Sequence, residues 1–209
     1  MFKKYYVSLL LLFFTAITIF LHIYKPAIPC MNADDVSFGY NAYSIATTGR
    51  DEYGTAAPTR FKAFGENKLP ALIYLAAPVT KLLGTTDLAI RLPLHFVGVL
   101  FPILMLALSL QLFKNKNIAL ITAFLTSVSS WIQITTRHAN EAPLATFFIV
   151  CALLAFLKYF DSKKLSFFII FSVFNGLSLF TYHLGKLIQP FFLGWVFFYT
   201  FFQKPNNKH

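Results

Sequence analysis

Four of the eight carboxylates of this chain, Asp34, Asp35, Asp51 and Glu52, fall between positions 34 and 52, directly after a long apolar run. In "DDVSFGYNAYSIATTG" the apolar and aromatic positions Val36, Tyr40, Tyr43 and Ile45 approximate a helical stripe, and Gly49 suits the residue just past a helix end. Asp34 and Asp35 are therefore expected at a helix N-terminus, where the helix dipole favours ionised carboxylates. A carboxylate held there serves either as a general base or as a cap, and the pair leaves open which residue does which. Asp51 and Glu52, between Gly49 and Gly54, read as a solvated turn. Lys68 precedes a Pro-led apolar stretch, as a point charge for an anionic group or as a snorkelling lysine. Arg91 stands at the mouth of an apolar run, an anchor or the partner of Asp87 four residues before it. Arg137, His138 and Glu141 share a second polar connection. There Glu141 is either a second carboxylate of the same site or a favourable charge in the first turn of a helix. In "LFTYHLGKLIQP", Tyr182, His183 and Lys186 offer hydrogen-bonding groups and a cation for a phosphate, or form a tight turn with an aromatic anchor. None of these forms a strong motif alone, and there is no Walker loop, GxSxG, HExxH or CxxC.

The elements that must position these groups are membrane helices. The 209 residues are 57% hydrophobic and 18% aromatic, with 12% charged where soluble domains carry about 25%. Mean hydropathy is +0.62. Spans are expected at 5–24, 92–113, 117–136, 142–160, 165–184 and 187–203, each near the ~20 residues that a bilayer core requires. The fold class is thus all-α, a polytopic bundle of six spans in one membrane domain, with a long external loop at 26–90 containing juxtamembrane helices. The stretch 69–83, broken by Pro70 and Pro78 and carrying Lys81, is expected to be re-entrant or interfacial. The N-terminal run is longer than a signal-peptide core and no A-x-A site follows it, so it is read as an uncleaved first helix.

Six crossings place Lys3, Lys4, Lys114, Lys116, Lys158, Lys163, Lys164, Lys204 and Lys208 on one face, with Asp161 as its acid. The positive-inside rule makes that face and both termini cytoplasmic, in a plasma or inner membrane. The net charge of +10, distributed in such short clusters, fits anionic lipid and not nucleic acid. Cys30 and Cys151 have neither disulfide nor metal-ligand spacing. All the external connections then carry ionisable groups to one membrane depth, where charge is costly and usually functional.

The succession "DD…GYNAYSI…TGRDEYG…FGENKLP…YL…P…LLG…RLP…G", followed by Arg137-x-x-x-Glu141 and "YHLGKLIQP", resembles the N-terminal half of GT-C fold glycosyltransferases. Among these it is most similar to the protein O-mannosyltransferases and the aminoarabinose-transferase-like bacterial proteins. The resemblance covers nearly the whole chain. It implies sugar transfer from a polyprenyl-phosphate-linked donor to a hydroxyl of a glycan, lipid or protein on the non-cytoplasmic face. It places Asp34 at the catalytic base, with Asp35 where relatives have Glu and Glu141 at a second acidic position. Lys68, Arg91, Arg137, Tyr182 and Lys186 would bind substrate or phosphate. No cofactor is expected, although a divalent ion near Asp34, Asp35 and Glu141 fits one branch of the superfamily. Relatives usually run to more than twice this length, so the chain is expected to be a fragment, a truncated reading frame or a partner-dependent half of such an enzyme. A transporter, which would need ionisable groups at mid-span, and a non-catalytic scaffold are the competing readings.

Overall fold

The computed structural model describes residues 2–24 and 30–202. The first helix, α1 (Phe2–Ile23), is followed by α2 (Ala33–Thr48), a hairpin of β1 (Phe61–Ala63) and β2 (Glu66–Lys68), and α3 (Pro70–Leu83). Then come α4 (Asp87–Phe113), α5 (Lys116–Ser127), α6 (Ser130–Thr135), α7 (Glu141–Ser162), α8 (Leu165–Leu179) and α9 (His183–Phe202). Among the described residues α4 and α7 are long and apolar enough to cross a membrane, and three shorter stretches, 6–22, 70–83 and 165–179, are apolar helices.

The fold is mostly helical, as the hydropathy requires, with three departures from the sequence expectation. The first is the hairpin, which pairs Phe61 with Lys68 and Ala63 with Glu66. Its strands are too short for an alternating pattern to show. Their turn is made by Phe64 (φ 48) and Gly65 (φ 86), both left-handed, the geometry that lets a two-residue loop follow the strand twist. The second is the expected 117–136 span, which breaks at Val128–Ser129 into α5 and α6. In this Ser/Thr-rich stretch Thr126 Oγ1 donates to Thr122 O and Ser127 Oγ to Phe124 O. Such side chains offer the backbone alternatives to helix continuation. The Gln133 amide bridges the break by donating to Ser127 O at 2.8 Å. The third is α8, which ends at Leu179, short of the expected 184, where a turn leads into α9. Lys204, Lys208 and residue 203 of the last expected span lie outside the described residues.

The main core sits beneath the polar connections. Phe38 and Ala42 of α2, Phe61 of β1 and Leu72, Ile73 and Ala76 of α3 pack on Ile90, Leu94, Val97 and Phe101 of α4. Leu144 and Phe148 of α7 and Ala139 close it from the other side. The helix expected to be interfacial, α3, thus buries one face against α2 and α4. The end of α1 is tied to the segment before α7. His22 Nδ1 lies 2.8 Å from Thr18 O and Nε2 2.8 Å from Thr136 Oγ1. Because a carbonyl only accepts, Nδ1 carries the proton that bonds to Thr18.

Gly98 of α4 makes this contact possible: a Cβ there would overlap His22 Nε2 and lie 2.7 Å from Thr136 Oγ1. Gly98→Ala is expected to destabilise the fold by about 1–3 kcal/mol, the usual cost of overpacking. Thermal unfolding in detergent checks this, and an unchanged midpoint would show that α1 does not lean on α4 through His22.

Candidate active site

The N-terminus of α2 is built by Asn32. Its side chain accepts from the Asp35 backbone N–H at 2.8 Å, and the Asp35 carboxylate accepts from the Asn32 N–H at 3.2 Å. This reciprocal capping box satisfies two orphan helix donors. Neither aspartate is the N-cap, therefore. The box turns the two side chains in opposite directions, Asp34 to the surface and Asp35 to the interior.

Asp35 is fully buried and paired with the equally buried Arg91, whose Nη2 lies 2.6 Å from Oδ2. The Ala139 backbone N–H donates to Asp35 Oδ1, and His138 Nδ1 stands 3.4 Å from Oδ2. One carboxylate thereby joins α2, α4 and the connection that enters α7. Burial by itself would raise the Asp35 carboxyl. The Ala139 amide, the Arg91 guanidinium and the Asn32 amide outweigh it and hold the group below its ordinary range. One sequence expectation is corrected here. Arg91 pairs with Asp35 and not with Asp87, because its guanidinium turns into the core toward α2. Asp35 and Arg91, expected as catalytic group and phosphate ligand, do not line the polar cavity.

The depressed Asp35 group has a consequence for acid stability. Its contribution is present above the unfolded value of about 4 and is lost as pH falls through the lower folded value. Stability in detergent is expected to decline below about pH 4, and Asp35→Asn to shallow that decline. Identical acid limbs in the two proteins would contradict the assignment.

Asp34 opens onto a cavity of about 300 Å³. Lys68, brought there as the last residue of β2, places Nζ 2.5 Å from Asp34 Oδ1 and 4.2 Å over the Phe38 ring. The lysine is 3% exposed and its partner 58%, so a buried ammonium holds a carboxylate that remains open to solvent. Glu141, the first residue of α7, faces the same cavity, with His138 and the Asn140 amide beside it. Asn140 caps α7 by accepting from the Ala142 N–H at 2.8 Å. The α8–α9 turn closes the far wall with Tyr182 and His183. His183 Nε2 lies 2.8 Å from Asn67 O and Ala71 N–H donates to Phe180 O at 3.1 Å, which docks that turn on the hairpin and on the start of α3.

Of the sequence-predicted residues, the structure gathers Asp34, Lys68, Glu141 and Tyr182 around one space. Arg137 and Lys186 stay outside its lining: Arg137 Nη2 lies 3.4 Å from Tyr24 O, and Lys186 is exposed on α9. The turn carboxylate Asp51 is buried and not solvated. It accepts from the N–H groups of Tyr53 and Thr55 at 3.0 and 2.7 Å. Sequence reasoning missed Asn32, Glu66 and Asn67. The signal for the first was an Asn two residues before a paired acid, a capping-box pattern with Asp at its third position. Glu66 and Asn67 could be placed only by the hairpin.

The wall carries three carboxylates, Asp34, Glu66 and Glu141, and Lys68 as the cation among its described residues. Such a surface accepts hydrogen bonds from hydroxyls and repels anions that do not meet Lys68. Among the described residues no three His, Cys, Asp or Glu side chains form a metal-ligand group. Asp35 spends its oxygens on protein donors, so the Asp34–Asp35–Glu141 set does not assemble as ligands.

The family model for dolichyl-phosphate-mannose-protein mannosyltransferase matches residues 67–208. An uncharacterized protein of Aquifex aeolicus (strain VF5) is 27% identical over 141 residues, which are 68% of this chain and 28% of that protein. Among solved structures, the archaeal oligosaccharyltransferase AglB from Archaeoglobus fulgidus, in complex with an inhibitory peptide and a dolichol-phosphate, superposes with a TM-score of 0.71. It does so at 19% identity, over 94% of this chain and 26% of its own. The apo form of the Archaeoglobus fulgidus oligosaccharyltransferase gives a TM-score of 0.72 over 92% and 26%, also at 19% identity. At these identities the likeness is one of fold. The chain spans about a quarter of the length of the relatives it matches.

Proposed function

Because the chain belongs to the dolichyl-phosphate-mannose-protein mannosyltransferase family, we propose that it transfers a sugar from a polyprenyl-phosphate-linked donor to an acceptor hydroxyl on the non-cytoplasmic face of the membrane. The observation that carries this reading is the meeting of Asp34, Lys68 and Glu141, from three separate connections, around one cavity.

In this reading Asp34 takes the proton of the acceptor hydroxyl as its oxygen attacks the anomeric carbon. The bond from that carbon to the phosphate oxygen breaks, and the polyprenyl phosphate leaves with the electron pair. One displacement of this kind inverts the anomeric centre. The Lys68 ammonium stands where it can balance negative charge that develops on the phosphate. Glu141 and Glu66 accept hydrogen bonds from sugar hydroxyls, and Tyr182 and His183 bound the far side. Asp35 and Arg91 act as positioning residues: they fix the first turn of α2 against Ala139 and so set Asp34 relative to Glu141. The family's protein mannosyltransferases make a protein hydroxyl the first acceptor to try.

The reading includes the topology. The chain forms one multi-pass domain, with six crossings, the lysine-rich end of α4 and α7 in the cytoplasm and the α2–hairpin–α3 segment outside. The length and hydropathy of α4 and α7 support it, as does the segregation of Lys114, Lys158, Lys163 and Lys164 from the acids around Asp34.

The test is a transfer assay on the full chain in vesicles, with radiolabelled polyprenyl-phosphate sugars and a hydroxyl-bearing peptide. Label is expected in the peptide, with polyprenyl phosphate released in equal amount. Accumulation of unmodified sugar inside the vesicles without transfer would support a transporter instead.

A further inference from the structure

The half of α7 away from Glu141, from Cys151 to Lys158, borders a second cavity. A crevice of about 200 Å³ opens between α4, α7 and α8, walled by Leu104, Cys151, Leu154, Ile170 and Phe174, with Lys158 as the charged residue on its rim. Gln111 of α4 donates to Asp161 of α7 at 2.6 Å, which sets the ends of the two longest apolar helices level with each other. Asp161 is also engaged by Lys114, whose Nζ is 3.3 Å away. Among the described residues it is the acid of this end, and it leaves Lys158 with no carboxylate at ion-pair distance. Lys158 Nζ stands over the Phe167 ring, 5.8 Å from its centroid. The turn beyond adds Lys163, held 4.0 Å over Phe160, and the exposed Lys164.

We infer that this crevice binds one anionic glycerophospholipid, with an acyl chain against Leu154 and Ile170 and the headgroup phosphate at Lys158. The lining is apolar throughout its depth, which suits a hydrocarbon chain and no soluble anion. The rim is cationic and short of counter-charge, which selects an anionic over a zwitterionic headgroup, as basic clusters at a cytoplasmic membrane surface do. The inference rests on the membrane placement proposed above and not on the transfer chemistry, and its test reads no activity.

The full chain is reconstituted in bilayers of equal phosphatidylglycerol and phosphatidylcholine, released gently, and weighed with its retained lipid. One phosphatidylglycerol per chain is expected. Lys158→Gln is expected to lower that retention roughly fivefold, the factor associated with one lysine at an anionic surface. Ile170→Trp fills the crevice from its exposed side without touching charge and is expected to lower it as well. Lys62→Gln, on the hairpin at the opposite end, is expected to change nothing. A second readout uses Cys151 in a Cys30→Ser background, where phosphatidylglycerol is expected to slow its reaction with a membrane-permeant maleimide relative to phosphatidylcholine. Equal retention of the two lipids, unchanged retention in Lys158→Gln, or loss in Lys158→Gln with full retention in Ile170→Trp would each overturn the site. Equal maleimide rates in the two lipids would overturn it even if Ile170→Trp fails to fold.

Discussion

Asp34→Asn is expected to lower the rate of sugar transfer by about 10²–10⁴-fold, the range associated with loss of a positioned general base. The substitution keeps an oxygen that can accept from Lys68 Nζ, which now sits 2.5 Å from the carboxylate. The helix cap is untouched, because Asn32 and Asp35 form the capping box and Asp34 takes no part in it. The fold and the shape of the cavity should therefore survive, and the loss should appear in kcat with KM little changed. Glu52→Gln, on the neighbouring exposed turn, is the matched control and should transfer at the wild-type rate. Wild-type kcat in Asp34→Asn would remove the base from the mechanism, however well the cavity is formed.

Arg91→Met is expected to cost about 3–5 kcal/mol of stability, the usual penalty for stripping one partner from a buried ion pair. Asp35 would be left fully buried, with the Ala139 and Asn32 amides but without its cation. Unfolding by denaturant in detergent measures the effect. Adding Asp35→Asn to Arg91→Met should recover part of the loss, because the double variant no longer buries an unpaired charge. That non-additivity reports the coupling between the two sites. If Arg91→Met unfolds at the wild-type midpoint, the clamp between α2, α4 and the α7 entry is not what holds the site together.

Some of this was legible in the residues and some was not, for physical reasons that differ. The helices α4 and α7 were readable because an uninterrupted apolar run of their length has few other solutions. That Asp34, Lys68, Glu141 and Tyr182 would gather around one space was readable because ionisable groups recur at each connection on one side of the expected membrane. Which aspartate faces outward was not readable. It depends on Asn32 taking the N-cap and thereby rotating the first turn of α2 by a fixed amount. The Arg91–Asp35 pair was hidden for another reason. The two residues are far apart in sequence, and the nearer Asp87 offers a helical spacing that the tertiary structure does not use. The hairpin was hidden by its size, since three residues per strand carry no periodicity. With it were hidden Glu66 and Asn67, which only the turn at Phe64–Gly65 brings to the cavity. The break between α5 and α6 shows local side-chain bonding by Thr126 and Ser127 overriding an apolar run.

The central claim, that the Asp34 cavity is an outward-facing donor site, is tested most directly by a single cysteine placed on its wall. With Cys30 and Cys151 replaced by Ser, Asn67→Cys puts a thiol on the lining beside Lys68. On intact cells a membrane-impermeant maleimide is expected to label it, and prior loading with a polyprenyl-phosphate-linked sugar to slow that labelling. Labelling that requires permeabilised cells, or that proceeds at the same rate with the donor present, would contradict the account.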